Sequence, residues 1–205
     1  MPLSTLSRKI VVQPYYYLQK IPGSIQECYL RESAADRLLQ AAENLPEGFF
    51  FHIFDAWRPY EVQSALYQDF KMKLEEKGLS GKHLLETLNK YVNKPSKNPN
   101  RPSNHLTGGA VDLTIATDNG LLPMGTDFDD FSEASKTDTY EKLKNPTNSE
   151  ILYRNNRALL KEIMENAGFT NYEEEWWHFD YGNQNWAART GNIAFYGGIH
   201  SIEQA

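Results

Sequence analysis

The stretch Ser103-Asn-His-Leu-Thr-Gly-Gly-Ala-Val-Asp-Leu-Thr-Ile limits what this chain can fold into more than any other. From Ala110 it alternates like a strand, with Val111, Leu113 and Ile115 on one side and Ala110, Asp112 and Thr114 on the other. The apolar side belongs on a core. An aspartate inside such a strand costs roughly several kcal/mol unless a cation or hydrogen-bond donors meet it. A metal is one answer, because imidazole nitrogen with carboxylate oxygen suits Zn²⁺, and His105 stands seven positions before Asp112. Gly108 and Gly109 let the backbone turn or approach closely enough to aim both side chains at one point. Taken alone, these residues read better as a satisfied buried aspartate beside a loop histidine. The second half of the chain shifts that balance.

Around this stretch the chain reads as a single domain over residues 1–205. Ile10–Val12 is a short strand, followed by the aromatic run Tyr15–Tyr17; Ser33 is expected to cap a helix reaching Leu45. Phe49–Phe54 has strand length and leads into Asp55-Ala56-Trp57-Arg58-Pro59. Helices are expected from Tyr60 to Lys77, with Val62, Leu66, Phe70 and Leu74 on one side, and from Lys82 to Val92. Asn93–Pro102 is a proline-rich loop delivering the chain to His105, and Asp118-Asn119-Gly120 is a hairpin turn. A long helix capped by Asn148 or Ser149 runs to Ala167, with Leu152, Leu159, Leu160 and Ile163 inward. His52 is expected to be hydrogen-bonded in the core; His83 and His200 are left without a role.

Charge and cysteine content narrow the chemistry. Lys+Arg 21 against Asp+Glu 27 gives a net charge of −6, which argues against a nucleic-acid or anionic-membrane partner. Cys28 is the only cysteine, so neither an intramolecular disulfide nor a thiolate zinc site is possible. With no signal core behind Met1–Lys9 and no apolar run of bilayer length, the expectation is a cytoplasmic protein without membrane insertion, the alternative being a periplasmic one whose export signal has been removed.

Glu175-Trp176-Trp177-His178 supplies a third ligand candidate. His105, Asp112 and His178 would leave one coordination position open, the mark of a catalytic rather than a structural zinc. Glu175, three residues before His178, is placed like a general base for water acidified by the metal. Arg58 would then face a developing oxyanion. On a regular strand Glu175 and His178 point to opposite faces, so a bend or bulge is expected between them. Of the two tryptophans, one is expected in the core and one on the pocket wall.

Together these residues resemble a known family. Ser103-x-His105-x-x-Gly108-x-Ala110-x-Asp112 followed by Glu175-Trp176-Trp177-His178 is similar to the zinc D-alanyl-D-alanine dipeptidases of the VanX type. Asp55-Ala56-Trp57-Arg58-Pro59 and Met124-Gly125-Thr126-x-Phe128-Asp129 match two further motifs of that family, in the same order. The resemblance implies an α+β fold, a central antiparallel sheet with helices packed around it, shared with D-Ala-D-Ala carboxypeptidases and Hedgehog-like domains. It implies one Zn²⁺ on His105, Asp112 and His178, with Glu175 as base and acid and Arg58 on the tetrahedral intermediate. Ser103 and Asp129 would bind a small D-amino-acid dipeptide, Asp129 through its ammonium. The family's N-terminal tyrosine motif has no clear counterpart, and Tyr17 or a neighbour is the candidate replacement. Two rival readings are a D,D-carboxypeptidase or wall-peptide hydrolase acting on longer peptides, and a zinc-stabilised binding module. Glu175 and Arg58 speak against the module, because holding a metal requires neither.

Overall fold

A computed structural model describes residues 1–99 and 101–202. Asn100, within the loop expected from Asn93 to Pro102, lies outside the described residues, as do residues 203–205 of the expected 1–205 domain. The chain folds as an α+β domain around a six-stranded sheet ordered β1 (Ile10–Val12), β2 (Phe50–Asp55), β3 (Ala110–Thr117), β6 (His178–Asp180), β5 (Thr170–Asn171), with β4 (Gly120–Leu121) paired to β3. The expected antiparallel sheet needs one correction: β1 runs parallel to β2. A crossover between them carries α1 (Tyr15–Leu18) and α2 (Glu32–Glu43), and parallel neighbours need such a crossover. β3 lies at the centre, between β2 and β6.

The alternation read in β3 is what packs the domain. Val111, Leu113 and Ile115 are fully buried in one core with Phe51 and Ile53 of β2 and with Ala34, Leu38, Leu160 and Met164. Those last four come from α2 and from α5 (Asn148–Asn166), which also pack on each other. The other face of β3 carries Asp112 and Thr114, buried under the site. The Asp118–Gly120 turn forms as expected and closes the hairpin Thr117↔Gly120. Among the described residues no helix is long and apolar enough to cross a membrane.

Three local expectations are corrected. α2 begins at Glu32 with Arg31 at the cap, because the Ser33 hydroxyl is engaged by the Tyr196 hydroxyl instead. α5 is capped by Thr147, whose side chain accepts from Glu150 N while Glu150 reaches back, a capping box. Its inward stripe is Asn156, Arg157, Leu160, Ile163 and Met164, and Leu152 stays 47% exposed. His52 is half-buried and its Nε2 has no hydrogen-bond partner; its ring packs beside Phe54 instead.

α3 (Tyr60–Glu76) and α4 (Gly81–Tyr91) stand off the main core. Val62 joins the main core, whereas Leu74 joins Leu84, Leu88 and Val92 in a smaller cluster. The middle of the same stripe, Leu66 and Phe70, is left to line the cleft between the two.

Candidate metal centre and active site

Sheet register assembles the centre. Asp112 of β3 pairs with His178, the first residue of β6. On the other side the register shifts between Ile53 and Asp55, a bulge that sets Asp55 opposite Asp112. Asp55, Asp112 and His178 thus occupy one rung across three strands. His105 arrives on a single 3₁₀ turn, His105–Thr107, closed by Gly108 at φ 68°, a left-handed conformation that suits glycine.

The imidazoles converge with one nitrogen each. His105 Nδ1 lies 2.7 Å from the Ala56 carbonyl and donates to it, which turns Nε2 inward. Nε2 lies 3.2 Å from His178 Nδ1 and 3.3 Å from Asp112 Oδ2, and His178 Nδ1 lies 2.9 Å from Asp112 Oδ1. A tetrahedral zinc with bonds of about 2.0–2.1 Å has ligand-to-ligand edges of roughly 3.3–3.4 Å, the scale on which His105 Nε2, His178 Nδ1 and the two Asp112 oxygens approach one another. Behind His178, Nε2 lies 3.2 Å from Asp180 Oδ1, which also accepts from Asn183 Nδ2 at 2.6 Å. An imidazole between a carboxylate and an inward donor atom is the usual support of a metal-ligating histidine.

The electrostatics agree with the donor set. Burial alone would lift Asp112, yet His105 and His178 hold it far below the usual carboxylate range. Burial alone would lower His178, yet Asp180 and Asp112 hold it well above the usual histidine range. The pocket therefore favours positive charge between these side chains, and a divalent cation can take the place of the proton.

Two expected residues flank the cluster. Glu175 leads a turn closed by His178 N–H donating to its carbonyl at 3.3 Å, which is the bend the strand geometry required. Glu175 Oε2 stands 3.9 Å from His178 Nδ1, and burial pushes the carboxyl up to about 8, against the pull of His178. Arg58 is buried, with Nε donating to Asp55 Oδ2 at 2.8 Å, Nη1 to Gln63 Oε1 at 2.9 Å and Nη2 to Asp112 Oδ2 at 3.3 Å. Its guanidinium is pinned at the edge of the cluster.

These groups open on a cleft of about 710 Å³. Asp129 lines it, at φ 65°, with Oδ1 accepting from Tyr16 Oη at 3.1 Å. Burial pushes Asp129 up to about 6. Trp177 lines the cleft while Trp176 packs in the core and donates to Thr126 Oγ1 at 2.8 Å. Glu133, four residues beyond Asp129, pairs with Lys90 and Lys136. Ser103 does not line the cleft: it is buried, and its carbonyl starts the 3₁₀ turn by accepting from Leu106 N–H at 3.1 Å. Asn104 lines the cleft in its place.

Tyr16, rather than the 40% exposed Tyr17, faces Arg58 and Asp129. No motif singles it out within three consecutive tyrosines. The supporting roles of Asp55 and Asp180 also escaped the sequence reading. Asp180 had a signal, two positions after His178 and so on the same face of a strand.

A buried pair of imidazoles with a carboxylate, beside a half-buried glutamate and a pinned arginine in an α+β domain, defines a candidate metallohydrolase. Comparison with known proteins narrows the class. The family model described as D-ala-D-ala dipeptidase matches residues 18–195, and the chain belongs to this metallopeptidase family. Among curated relatives, a D-alanyl-D-alanine dipeptidase of Synechocystis sp. is 32% identical over 194 residues, 83% of this chain and 78% of that protein. Proteins of the same name from Escherichia coli and Enterococcus faecium are each 30% identical. They align over 75% and 71% of this chain and over 66% and 69% of their own lengths.

Proposed function

We propose that this chain is a zinc-dependent D-alanyl-D-alanine dipeptidase with His105, Asp112 and His178 as its metal ligands. The observation that carries the reading is the convergence of three donor atoms, each from a separate segment, within 4.8 Å of one another. Family membership and the names of the relatives support the substrate. Zinc, when bound, supplies Lewis acidity, polarising the scissile carbonyl and acidifying water. Glu175 takes the proton of the attacking water and delivers it to the leaving amine, a task its elevated carboxyl suits near neutral pH. Arg58 faces the carbonyl oxygen and stabilises the charge that grows there. Asp129, steadied by Tyr16, receives the free ammonium of the dipeptide. The substrate contact that the resemblance gives to Ser103 falls better to Asn104, which reaches the cleft.

Asp129 gives a pH-dependent expectation. Its carboxyl must be ionised to meet an ammonium, and at about 6 it is half protonated. Asp129 therefore adds an acid limb of its own to kcat/KM for D-Ala-D-Ala as pH drops through about 6, below the one that Glu175, as base, sets near 8. Asp129→Asn loses that acid limb and raises KM by roughly ten- to a hundredfold, the worth of a hydrogen bond between charged groups. A KM unchanged in Asp129→Asn would remove Asp129 from substrate binding.

The reach of the cleft to Leu66 and Phe70 of α3 favours a second reading, a D,D-carboxypeptidase acting on longer peptides. The half-buried Asp129 on the cleft wall weighs against it, since a carboxylate there is matched by a charged amine and not by an amide. D-alanine release measured from the free dipeptide and from a longer peptide ending in D-Ala-D-Ala separates the two. Release from the dipeptide is expected, and cleavage of the longer peptide alone would replace the dipeptidase reading.

A further inference from the structure

The last residues of the described chain lie against the ligand turn. Ile199 N–H donates to Leu106 O at 2.7 Å, and Ile199 O accepts from Trp57 Nε1 at 3.0 Å. Leu106 follows His105 and Trp57 precedes Arg58, so one residue of the tail joins the segments carrying both. Their own direct link is longer, Arg58 N–H donating to His105 O at 3.3 Å. Ile199, Leu106 and Trp57 are all buried. A second tie runs through Arg31, which donates from Nε to Thr107 O and from Nη2 to Gly197 O, both at 3.0 Å. Upstream, Phe195 and Tyr196 N–H both donate to Gly182 O, at 2.9 and 3.0 Å, anchoring the tail beside the end of β6.

The paired glycines between His105 and Asp112 gain a second purpose from this contact. A Cβ on Gly108 would come within 3.2 Å of Ile199 Cδ1, and one on Gly109 within 2.7 Å of Tyr196 Cδ2. At Gly108 the tail is the nearest neighbour, whereas at Gly109 it shares the space with the Tyr181 carbonyl, 2.3 Å from where a Cβ would stand.

We propose that residues 195–199 form a strap that positions the His105 turn against the Arg58 loop, with Ile199 as its closing residue. The strap touches no donor atom of the metal cluster. It acts through Leu106, Trp57 and Arg31, and its effect is to keep His105 Nε2 in register with Asp112 and His178. Groups hydrogen-bonded directly to ligating side chains govern metal affinity by roughly ten- to a hundredfold, and the strap, one contact further out, is expected at the lower end of that range. The proposal rests on the reading of His105 as a metal ligand, and wild-type zinc binding is measured beside every variant for that reason.

Trp57→Phe deletes the donor to Ile199 and keeps an aromatic ring. Tyr140→Phe is its control, because Tyr140 Oη also donates to a backbone carbonyl, that of Gly125 at 3.3 Å, away from the ligands and the strap, and the variant likewise keeps an aromatic ring. Each full-length variant is melted in chelator, titrated with Zn²⁺ against a chromophoric chelator and assayed on D-Ala-D-Ala. Both are expected to melt slightly below the wild type. Trp57→Phe alone should weaken zinc binding at least tenfold and lower kcat more than it raises KM. Zinc affinity and kcat as intact in Trp57→Phe as in the control would overturn the strap. If Trp57→Phe fails to fold, Arg31→Lys, which cannot span Thr107 and Gly197 with one fork, is read in the same way. Absence of zinc binding by the wild type would instead sink the proposed function.

Discussion

Glu175→Gln is expected to retain zinc and the fold while lowering kcat by roughly a hundred- to ten-thousandfold, the usual worth of a positioned proton carrier. The substitution keeps the shape of the side chain and removes only its ability to exchange a proton. Loss of stability is a separate outcome, and the sign of the pKa shift distinguishes it. Burial raises Glu175 from its ordinary 4.5 to about 8 in the folded chain. Ionisation is therefore easier unfolded than folded, and this carboxyl costs stability progressively as pH climbs from about 4.5 to 8. The Gln variant carries no such cost, so in chelator at pH 8 it should melt no lower than the wild type. Turnover unchanged in a zinc-loaded Glu175→Gln protein would take Glu175 out of the mechanism.

Arg58 carries the second large effect. Its guanidinium holds Asp55, Gln63 and Asp112 at once, with Tyr16 Oη 3.5 Å from Nη2. Truncation to alanine would strand two buried carboxylates, a loss of about 3–5 kcal/mol for a broken buried pair, and would confuse folding with catalysis. Arg58→Lys is the cleaner variant, since it keeps the charge but cannot reproduce the planar fork. It should lower kcat by roughly a hundredfold, as removal of one oxyanion-stabilising group does, with KM changed far less. An Arg58→Lys protein with wild-type kcat would leave the oxyanion to another group.

Residues whose chemistry is written locally were legible in the sequence. Asp112 stood out because an acid sits inside an otherwise apolar strand, and His105 and His178 because they arrive beside glycines and a glutamate. The motif order then pointed to the family. Features decided by tertiary contact were not legible. Whether β1 joins β2 in parallel depends on where the crossover lies, not on Ile10–Val12 themselves. Ser33 looked like a helix cap and was drawn instead to Tyr196, 163 positions away. Thr147 was readable, for Thr147-Asn-Ser-Glu150 is a capping box, but Asn148 and Ser149 are equally good caps in isolation. Ser103 and Asn104 are neighbours, and only the 3₁₀ turn determines which of them reaches the cleft.

The most direct measurement is metal content per chain alongside D-alanine release from D-Ala-D-Ala, before chelation, after it and after zinc is restored. One zinc per chain is expected, with activity abolished by the chelator and recovered on adding the ion back. A chelated protein that holds no metal yet still releases D-alanine at the original rate would contradict the convergence of His105, Asp112 and His178 on a catalytic ion.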